Sequence, residues 1–229
     1  MAMSLQIREM SRDMETMRGK LLFRLGILVF CFLIMARWLM AASLPGEARV
    51  RAVLDGDTIV LDTGEKVRYL GIDAPEISHD DVSGDCYGRE ALEANKKWVF
   101  HKTVVLRYDR ESHDGYGRLL AYIHLPDGTC VNAELLRSGY AYVYRSAEGF
   151  ERFNDFLSMQ RQALKLWTGM WGTCQVKPEV HYNANGRSYI FHRPACQLGK
   201  AISHKNLKRF NTRWQALEDA YRPCRRCKP

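Results

Sequence analysis

Proline is scarce, 7 in 229 residues, and neither an internal repeat nor a low-complexity tract is present. Collagen-like and disordered chains are thereby excluded, and 46% hydrophobic with 26% charged content is the make-up of a folded globular protein. Uninterrupted apolar runs of about 20 residues, the length that crosses a bilayer, are also missing, which rules out a multi-span membrane protein. Acidic residues are the scarcer charge, 26 against 34 Lys and Arg. The net charge of +8 calls for an anionic partner such as nucleic acid or a membrane surface. This length predicts one domain of about 130 residues with a smaller unit beside it.

The longest apolar stretch runs from Leu25 to Ala36, between Arg24 and Arg37, and Ala41, Ala42 and Ser43 follow it. Basic residues, a short apolar run and small residues in that order are the layout of an export signal. With Trp38, Leu39 and Met40 the run could instead remain as a membrane anchor. Arg8, Arg12, Arg18, Lys20 and Arg24 keep the amino end in the cytoplasm, so the chain beyond about residue 45 is expected to be exported, as a periplasmic or secreted protein or one held at the inner membrane. Any membrane contact would be through this segment alone.

Composition divides the remainder near Lys177 and Pro178. Residues 46–176 carry 16 basic and 20 acidic residues, whereas residues 177–229 carry 12 basic and 3 acidic, so the positive excess belongs to the tail. Three regions are predicted: 1–45 as signal or anchor, 46–176 as the main domain, and 177–229 as a small basic module. In the main domain, Arg49–Leu54, Thr58–Asp62 and Lys66–Gly71 are β-compatible runs, with Thr63 and Gly64 as a tight turn. Gly88–Phe100 has helical spacing, Val104–Tyr108 and Leu119–Leu125 are strand-like, and helices are expected near Asn132–Ser138 and Gly149–Leu166. Five strands in a meander-like order with about three helices give a mixed, mainly β fold: a small closed barrel of the oligonucleotide-binding type.

Chemistry gathers at one end of the first hairpin. Asp57 precedes the strand beginning at Thr58, and Asp73 and Glu76 follow its partner, so an antiparallel hairpin brings the three carboxylates together, with Asp57 expected opposite residue 70 or 71. Such a cluster repels itself unless a cation sits within it, and hard oxygen donors suit Ca²⁺ or Mg²⁺. Asp-Gly pairs are also ordinary turn residues. Arg68, in the returning strand, and Arg118, after Gly115–Gly117, present guanidinium forks matched to phosphate oxygens. Ion pairing with Asp57 or Asp73 is the plainer reading of both.

The strings Asp-Gly-Asp-Thr (55–58), Arg-Tyr-Leu-Gly-Ile-Asp-Ala-Pro-Glu (68–76), Tyr-Gly-Arg-Glu-Ala (87–91) and Asp-Gly-Tyr-Gly-Arg-Leu-Leu-Ala-Tyr-Ile (114–123) resemble the staphylococcal nuclease family. The resemblance spans about residues 48–170. It implies a five-stranded oligonucleotide-binding barrel with three helices and Ca²⁺-dependent cleavage of DNA and RNA that leaves 3′-phosphate ends. It further implies that Asp57, Asp73 and the backbone carbonyl of Ala74 ligate Ca²⁺. Arg68 and Arg118 would bind the phosphate, Glu76 would position or deprotonate the attacking water, and Tyr116, Tyr142 and Tyr144 would lie near the nucleotide. The family's lysine before Tyr-Gly-Arg is Gly115 here. The polar stretch Ile77–Asp85 is expected to be a mobile loop over the site, with His79 a solvated residue of it.

In the tail, His192 and Cys196 stand four apart and Cys224 and Cys227 form a Cys-x-x-Cys knuckle, a plausible zinc set of three sulfurs and one imidazole. Phe-His-Arg-Pro-Ala-Cys and Tyr-Arg-Pro-Cys-Arg-Arg-Cys resemble the zinc module of the adaptive-response DNA alkylation repair protein. His192 replaces its first cysteine, which implies structural Zn²⁺ without methyl transfer. In an exported chain the six cysteines after residue 45 could instead form three disulfides. If zinc takes its three, Cys86, Cys130 and Cys174 leave at most one disulfide. The sequence thus reads as a monomeric, Ca²⁺-dependent endonuclease acting on DNA and RNA. A non-catalytic nucleic-acid-binding protein on the same barrel, or a membrane-anchored factor in DNA uptake or transfer, are the alternatives.

Overall fold

Gly64, at φ 104°, closes a three-residue loop rather than a two-residue turn, and Leu61 pairs directly with Glu65 across it. Strand β2 (Thr58–Leu61) therefore meets β3 (Lys66–Tyr69) with Thr58 opposite Arg68. Asp57 consequently sits opposite Tyr69, whose N–H donates to the Asp57 carbonyl at 2.8 Å. That is one residue short of the expected partner, because the loop is one residue longer than the expected turn. The computed structural model describes residues 44–78, 83–146 and 149–229, and within it Gly46–Pro229 forms one unit. The expected signal or anchor lies outside the described residues. Among the described residues, no helix is long and apolar enough to cross a membrane.

With β1 (Glu47–Val53), β5 (Thr103–Arg107) and β6 (Leu119–His124), the hairpin closes a barrel in the order β1-β2-β3-β6-β5. The expected meander is corrected at one seam: β3 pairs with β6, not with the next strand, and the two run parallel with Arg68 beside Leu120. A parallel seam needs a crossover, and helix α1 (Gly88–Val99) with β5 supplies it. Ala91, Ala94, Asn95 and Val99 make the buried face of α1, and Lys96 and Lys97 in its last turn complement the helix dipole. Ile59, Leu61, Val67, Tyr69, Val104 and Ile123 fill the barrel.

Helices α2 (Val131–Arg137) and α3 (Phe153–Lys165) cover one side of the barrel. Asn132, fully buried, holds α2 in place by accepting from the Ile123 N–H at 2.8 Å and donating to the Leu70 carbonyl at 2.9 Å. Two short strands, β4 (Ile72–Asp73) and β7 (Tyr142–Val143), pair antiparallel and bring Asp73 beside Tyr142.

The chain changes composition at Lys177 and Pro178, yet its packing does not part there. After α4 (Met170–Thr173), a four-stranded sheet forms in the order β10-β8-β9-β11 from β8 (Tyr182–Asn185), β9 (Ile190–His192), β10 (Leu207–Phe210) and β11 (Arg222–Pro223). It carries two small helices, α5 (Gln197–Lys200) and α6 (Arg213–Glu218). Leu164, Met170 and Trp171 share one apolar core with Tyr182, Phe191, Phe210 and Leu217. Gln160 ties the two sides together: buried in α3, it accepts from the Val143 N–H at 2.7 Å and donates to the Leu217 carbonyl at 2.7 Å.

A disulfide between Cys86 and Cys174 spans a sequence separation of 88 residues and joins the start of α1 to the end of α4. Closing a loop of this length removes chain entropy from the unfolded state worth about 4 kcal/mol. Replacing both cysteines by serine is expected to lower the unfolding free energy by about that amount in urea titration. A loss below about 1 kcal/mol would show that the bridge contributes little.

Candidate active site and a metal-ligand cluster

The loop between β1 and β2 is held close to the chain after β4 by Gly56, where an added Cβ would meet the Cβ of Ala74 at 2.6 Å and that of Ala91 at 2.8 Å. Glycine is required here for approach, not for an unusual dihedral. The closeness lets the Ala74 N–H donate to Asp57 Oδ2 at 2.5 Å. Asp55 Oδ1 caps the same loop by accepting from the Asp57 N–H at 2.9 Å, and its carbonyl accepts from Asn95 of α1 at 3.0 Å. At the other edge Gly88 sits against the Glu76 carbonyl, with 2.2 Å to an added Cβ, so the start of α1 fixes the Glu76 backbone.

Asp57 and Asp73 are each 5% exposed, and Arg68 lies between them. Arg68 Nη1 pairs with Asp57 Oδ2, and Nη2 donates to Asp73 Oδ1 at 2.8 Å. Burial pushes the Asp57 carboxyl up to about 6 despite the opposing pull of Arg68, and nearby Asp55 adds to the rise. Burial also works against the charge of Arg68, but Asp57, Asp73 and Asp55 together raise its pKa above the usual arginine value. Four carboxylates, those of Asp55, Asp57, Asp73 and Glu76, thus stand with one arginine of the barrel in a cleft of about 660 Å³. The buried carboxylates of Asp57 and Asp73, with partly exposed Asp55 and Glu76 beside them, are hard oxygen donors of the kind a divalent cation such as Ca²⁺ takes.

Arg118 and Glu76 line the same cleft, so all five acidic and basic residues expected from the sequence meet there. Arg118 is not paired with Asp57 or Asp73. Its Nε donates to Asp114 Oδ2 at 2.7 Å, and Asp114 also accepts from the backbone N–H groups of Tyr116 and Arg118, which orients the arginine. Tyr116, 89% exposed, stands at the rim, and Tyr144 lines the cleft. Tyr142 does not: its ring packs edge-on against Trp171 at 5.2 Å and borders a neighbouring cavity. The ladder that places Tyr142 beside Asp73 turns its side chain away from the cleft, so the expectation for this tyrosine is corrected. His79 lies outside the described residues.

Two arginines that reach Asp73 were not foreseen. Arg222 and Arg225, from the carboxy-terminal sheet and knuckle, reach Asp73: Arg225 Nη2 lies 2.7 Å from Asp73 Oδ1 and Arg222 Nη1 lies 3.3 Å from Oδ2. Arg225 Nη1 also pairs with Glu76 Oε1. Asp85, likewise unforeseen, accepts from the Glu76 N–H at 3.2 Å and pairs with Lys228 at 2.8 Å. No spacing rule links positions some 150 residues apart, so only packing reveals these contacts.

In the tail, one ligand atom each of His192, Cys196, Cys224 and Cys227 lies within 4.8 Å of the others. None of these cysteines is in a disulfide, and Cys130 is also a free thiol. Burial keeps the His192 imidazole neutral and so able to ligate. Burial, with Cys196 and Cys224 close by, pushes the Cys227 thiol up, and a cation among these sulfurs would favour its thiolate. The Arg193 N–H points at Cys227 Sγ at 3.4 Å, the backbone support that zinc thiolates commonly receive. Three sulfurs and one imidazole fit tetrahedral Zn²⁺.

Comparison with known proteins bears on both sites. The family model described as staphylococcal nuclease homologue matches residues 66–173, and that of the metal binding domain of Ada matches residues 179–229. A thermonuclease of Staphylococcus intermedius is 41% identical over 95 residues, 40% of this chain and 56% of that protein, so the chain spans about half its length. An uncharacterized endonuclease of Escherichia coli is 36% identical over 138 residues, 58% of this chain and 81% of the relative. A thermonuclease of Staphylococcus hyicus is 32% identical over 126 residues, 54% and 74% of the two chains.

Elemental analysis of the purified protein is expected to find about one tightly held zinc per chain. Cys224→Ser should release it, whereas Cys130→Ser should not. A metal-free protein with Cys224 oxidised to Cys227 would contradict the assignment.

Proposed function

The chain belongs to the staphylococcal nuclease family, and from that premise we propose that it is an exported, Ca²⁺-dependent endonuclease that hydrolyses phosphodiester bonds of DNA and RNA and leaves 3′-phosphate ends. The observation that carries the reading is the convergence of Asp57, Arg68, Asp73, Glu76 and Arg118 on one cleft. A module that only binds nucleic acid has no need of buried carboxylates where the phosphate must lie. The Cys86–Cys174 disulfide supports an oxidising compartment beyond the cytoplasm.

Asp57, Asp73 and the carbonyl of Ala74 would hold Ca²⁺, which when bound supplies a Lewis acid for a phosphoryl oxygen. Everything else is done by the chain's own groups. Glu76, partly exposed beside Asp73, orients a water in line with the phosphorus and takes its proton as the new P–O bond forms and the 5′ P–O bond breaks, the departing 5′ oxygen taking a proton from solvent water to become the 5′-hydroxyl. Arg68 and Arg118 hold the non-bridging oxygens as negative charge gathers on them. Their positions are fixed beforehand by Asp57, Asp73 and Asp114, so little reorganisation accompanies the reaction. Tyr116 at the rim and Tyr144 within the cleft offer rings to the nucleotides on either side.

Labelled DNA and RNA should be cut by the purified protein in Ca²⁺ and left whole in a Ca²⁺ chelator. Glu76→Gln and Arg118→Ala should each lower kcat by about 10²- to 10³-fold with the unfolding midpoint unchanged, since both side chains are partly exposed. Arg68→Ala should lose at least as much activity and also destabilise the fold by about 3–5 kcal/mol, because two buried carboxylates lose their shared partner. Near-normal turnover in all three variants would refute the proposal.

A further inference from the structure

The three guanidinium groups around Asp73 do not come from one domain. Arg68 belongs to the barrel, whereas Arg222 lies in β11 and Arg225 inside the Cys224–Cys227 knuckle. Arg68 Nη2 and Arg225 Nη2 donate to the same oxygen, Asp73 Oδ1, at 2.8 and 2.7 Å, while Arg222 Nη1 approaches Oδ2 at 3.3 Å. Their donors therefore converge on one small volume in the wall of the cleft. Arg222 is held there by the face of Tyr144, with its guanidinium carbon 4.7 Å from the ring centroid. The knuckle is anchored in turn: the Cys224 N–H donates to the Phe191 carbonyl at 2.9 Å, and Lys228 reaches the Ser83 and Gly84 carbonyls at 3.2 and 3.0 Å.

Charge shows what such an arrangement accommodates. In the cluster around Asp73, Asp55, Asp57, Asp73 and Glu76 carry four negative charges, and Arg68, Arg222 and Arg225 carry three positive, which leaves one negative charge there, while Arg118 beside it is matched by Asp114. A divalent cation reverses that to one positive charge, which a single phosphodiester group cancels. Without the two carboxy-terminal arginines the same cation-loaded cluster would keep one negative charge and repel its substrate. A cation on Asp73 would compete with the arginines for its oxygens, and Arg225, half-exposed and paired with Asp73 and Glu76, would then exchange those partners for an incoming anion.

We propose that Arg225 and Arg222, supplied by the carboxy-terminal metal-cluster module, are substrate-binding residues of the nuclease centre, closing on the phosphate of the strand being cut. The inference rests on the nuclease reading of this cleft. It makes the module a working part of the site and gives a reason for its fixed packing on α3 and α4.

The test uses the full chain as wild type, Arg225→Ala, Arg225→Lys and the Arg222→Ala/Arg225→Ala pair, each checked for zinc content and unfolding midpoint. Cleavage of a labelled single-stranded oligonucleotide in Ca²⁺ is followed across salt concentrations, and binding of thymidine 3′-phosphate, which has no internucleotide bond to break, is followed by calorimetry in the same buffer. The expected result is a kcat/KM at least tenfold lower for Arg225→Ala and lower again for the pair. Arg225→Lys should recover part of the loss, the salt slope of log KM should be shallower by about one for each arginine removed, and nucleotide affinity should fall at least tenfold in the pair. Wild-type or faster cleavage by Arg225→Ala would overturn the inference and make the arginines a plug over the site. An unchanged salt slope and unchanged nucleotide binding would overturn it as well. If Arg225→Ala loses zinc or stability, Arg222→Ala alone, outside the knuckle, decides by the same two readouts. Failure of the wild type to cleave would refute the nuclease reading, while the nucleotide-binding comparison would still judge the arginines.

Discussion

The Arg68 guanidinium, shared between Asp57 and Asp73, is the interaction on which the site depends. It fastens the end of the first hairpin to the short β4–β7 ladder, and it is what makes two almost fully buried carboxylates tolerable side by side. Such a buried triad is a costly construction, since every charge has been taken out of water. Its effect is preorganisation: hard oxygens of the kind a divalent cation takes and a planar guanidinium fork are already held in place. The raised pKa of Asp57 is the residue of that cost, a carboxylate with less positive charge around it than its burial demands.

Around this triad the rest of the chain acts as a set of spacers. Gly56 allows the β1–β2 loop to lie on Ala74 and Ala91, Gly88 allows the start of α1 to lie on Glu76, and buried Asn95 and Asn132 tie helices to loop and strand backbone. Gln160 extends the same logic across the composition boundary, bonding β7 on one side and α6 on the other. Through these few polar contacts and one shared apolar core, the carboxy-terminal sheet is set where its arginines meet the cleft. The His192–Cys227 ligand cluster and the carboxylate cleft are therefore neighbours in space, with Arg225 directly following Cys224 and pairing with Asp73 and Glu76.

Much of this was legible in the residues. Two short β-compatible runs, Thr58–Leu61 and Lys66–Tyr69, with a glycine between them dictate a hairpin, and the hairpin dictates that Asp57 and Asp73 meet. The Cys-x-x-Cys knuckle with His192 and Cys196 was legible because metal geometry restricts ligand spacing. The parallel β3–β6 seam was not, since a strand sequence carries no record of its partner. Nor was the orientation of Tyr142, where one step along a two-residue strand decides between the cleft and Trp171.

By itself, then, the sequence determined the donors: which carboxylates, guanidinium groups, thiols and imidazole are available, and which of them local geometry must bring together. Tertiary structure decided the company they keep. Whether Cys86 bonds Cys174, whether Arg118 leans on Asp114, and whether two tail arginines lie on Asp73 all depend on how separate elements pack. The physical reason is range: hairpin and knuckle are set by backbone reach over a few residues, whereas contacts across some 150 residues are set by the shape of a core that no short stretch encodes.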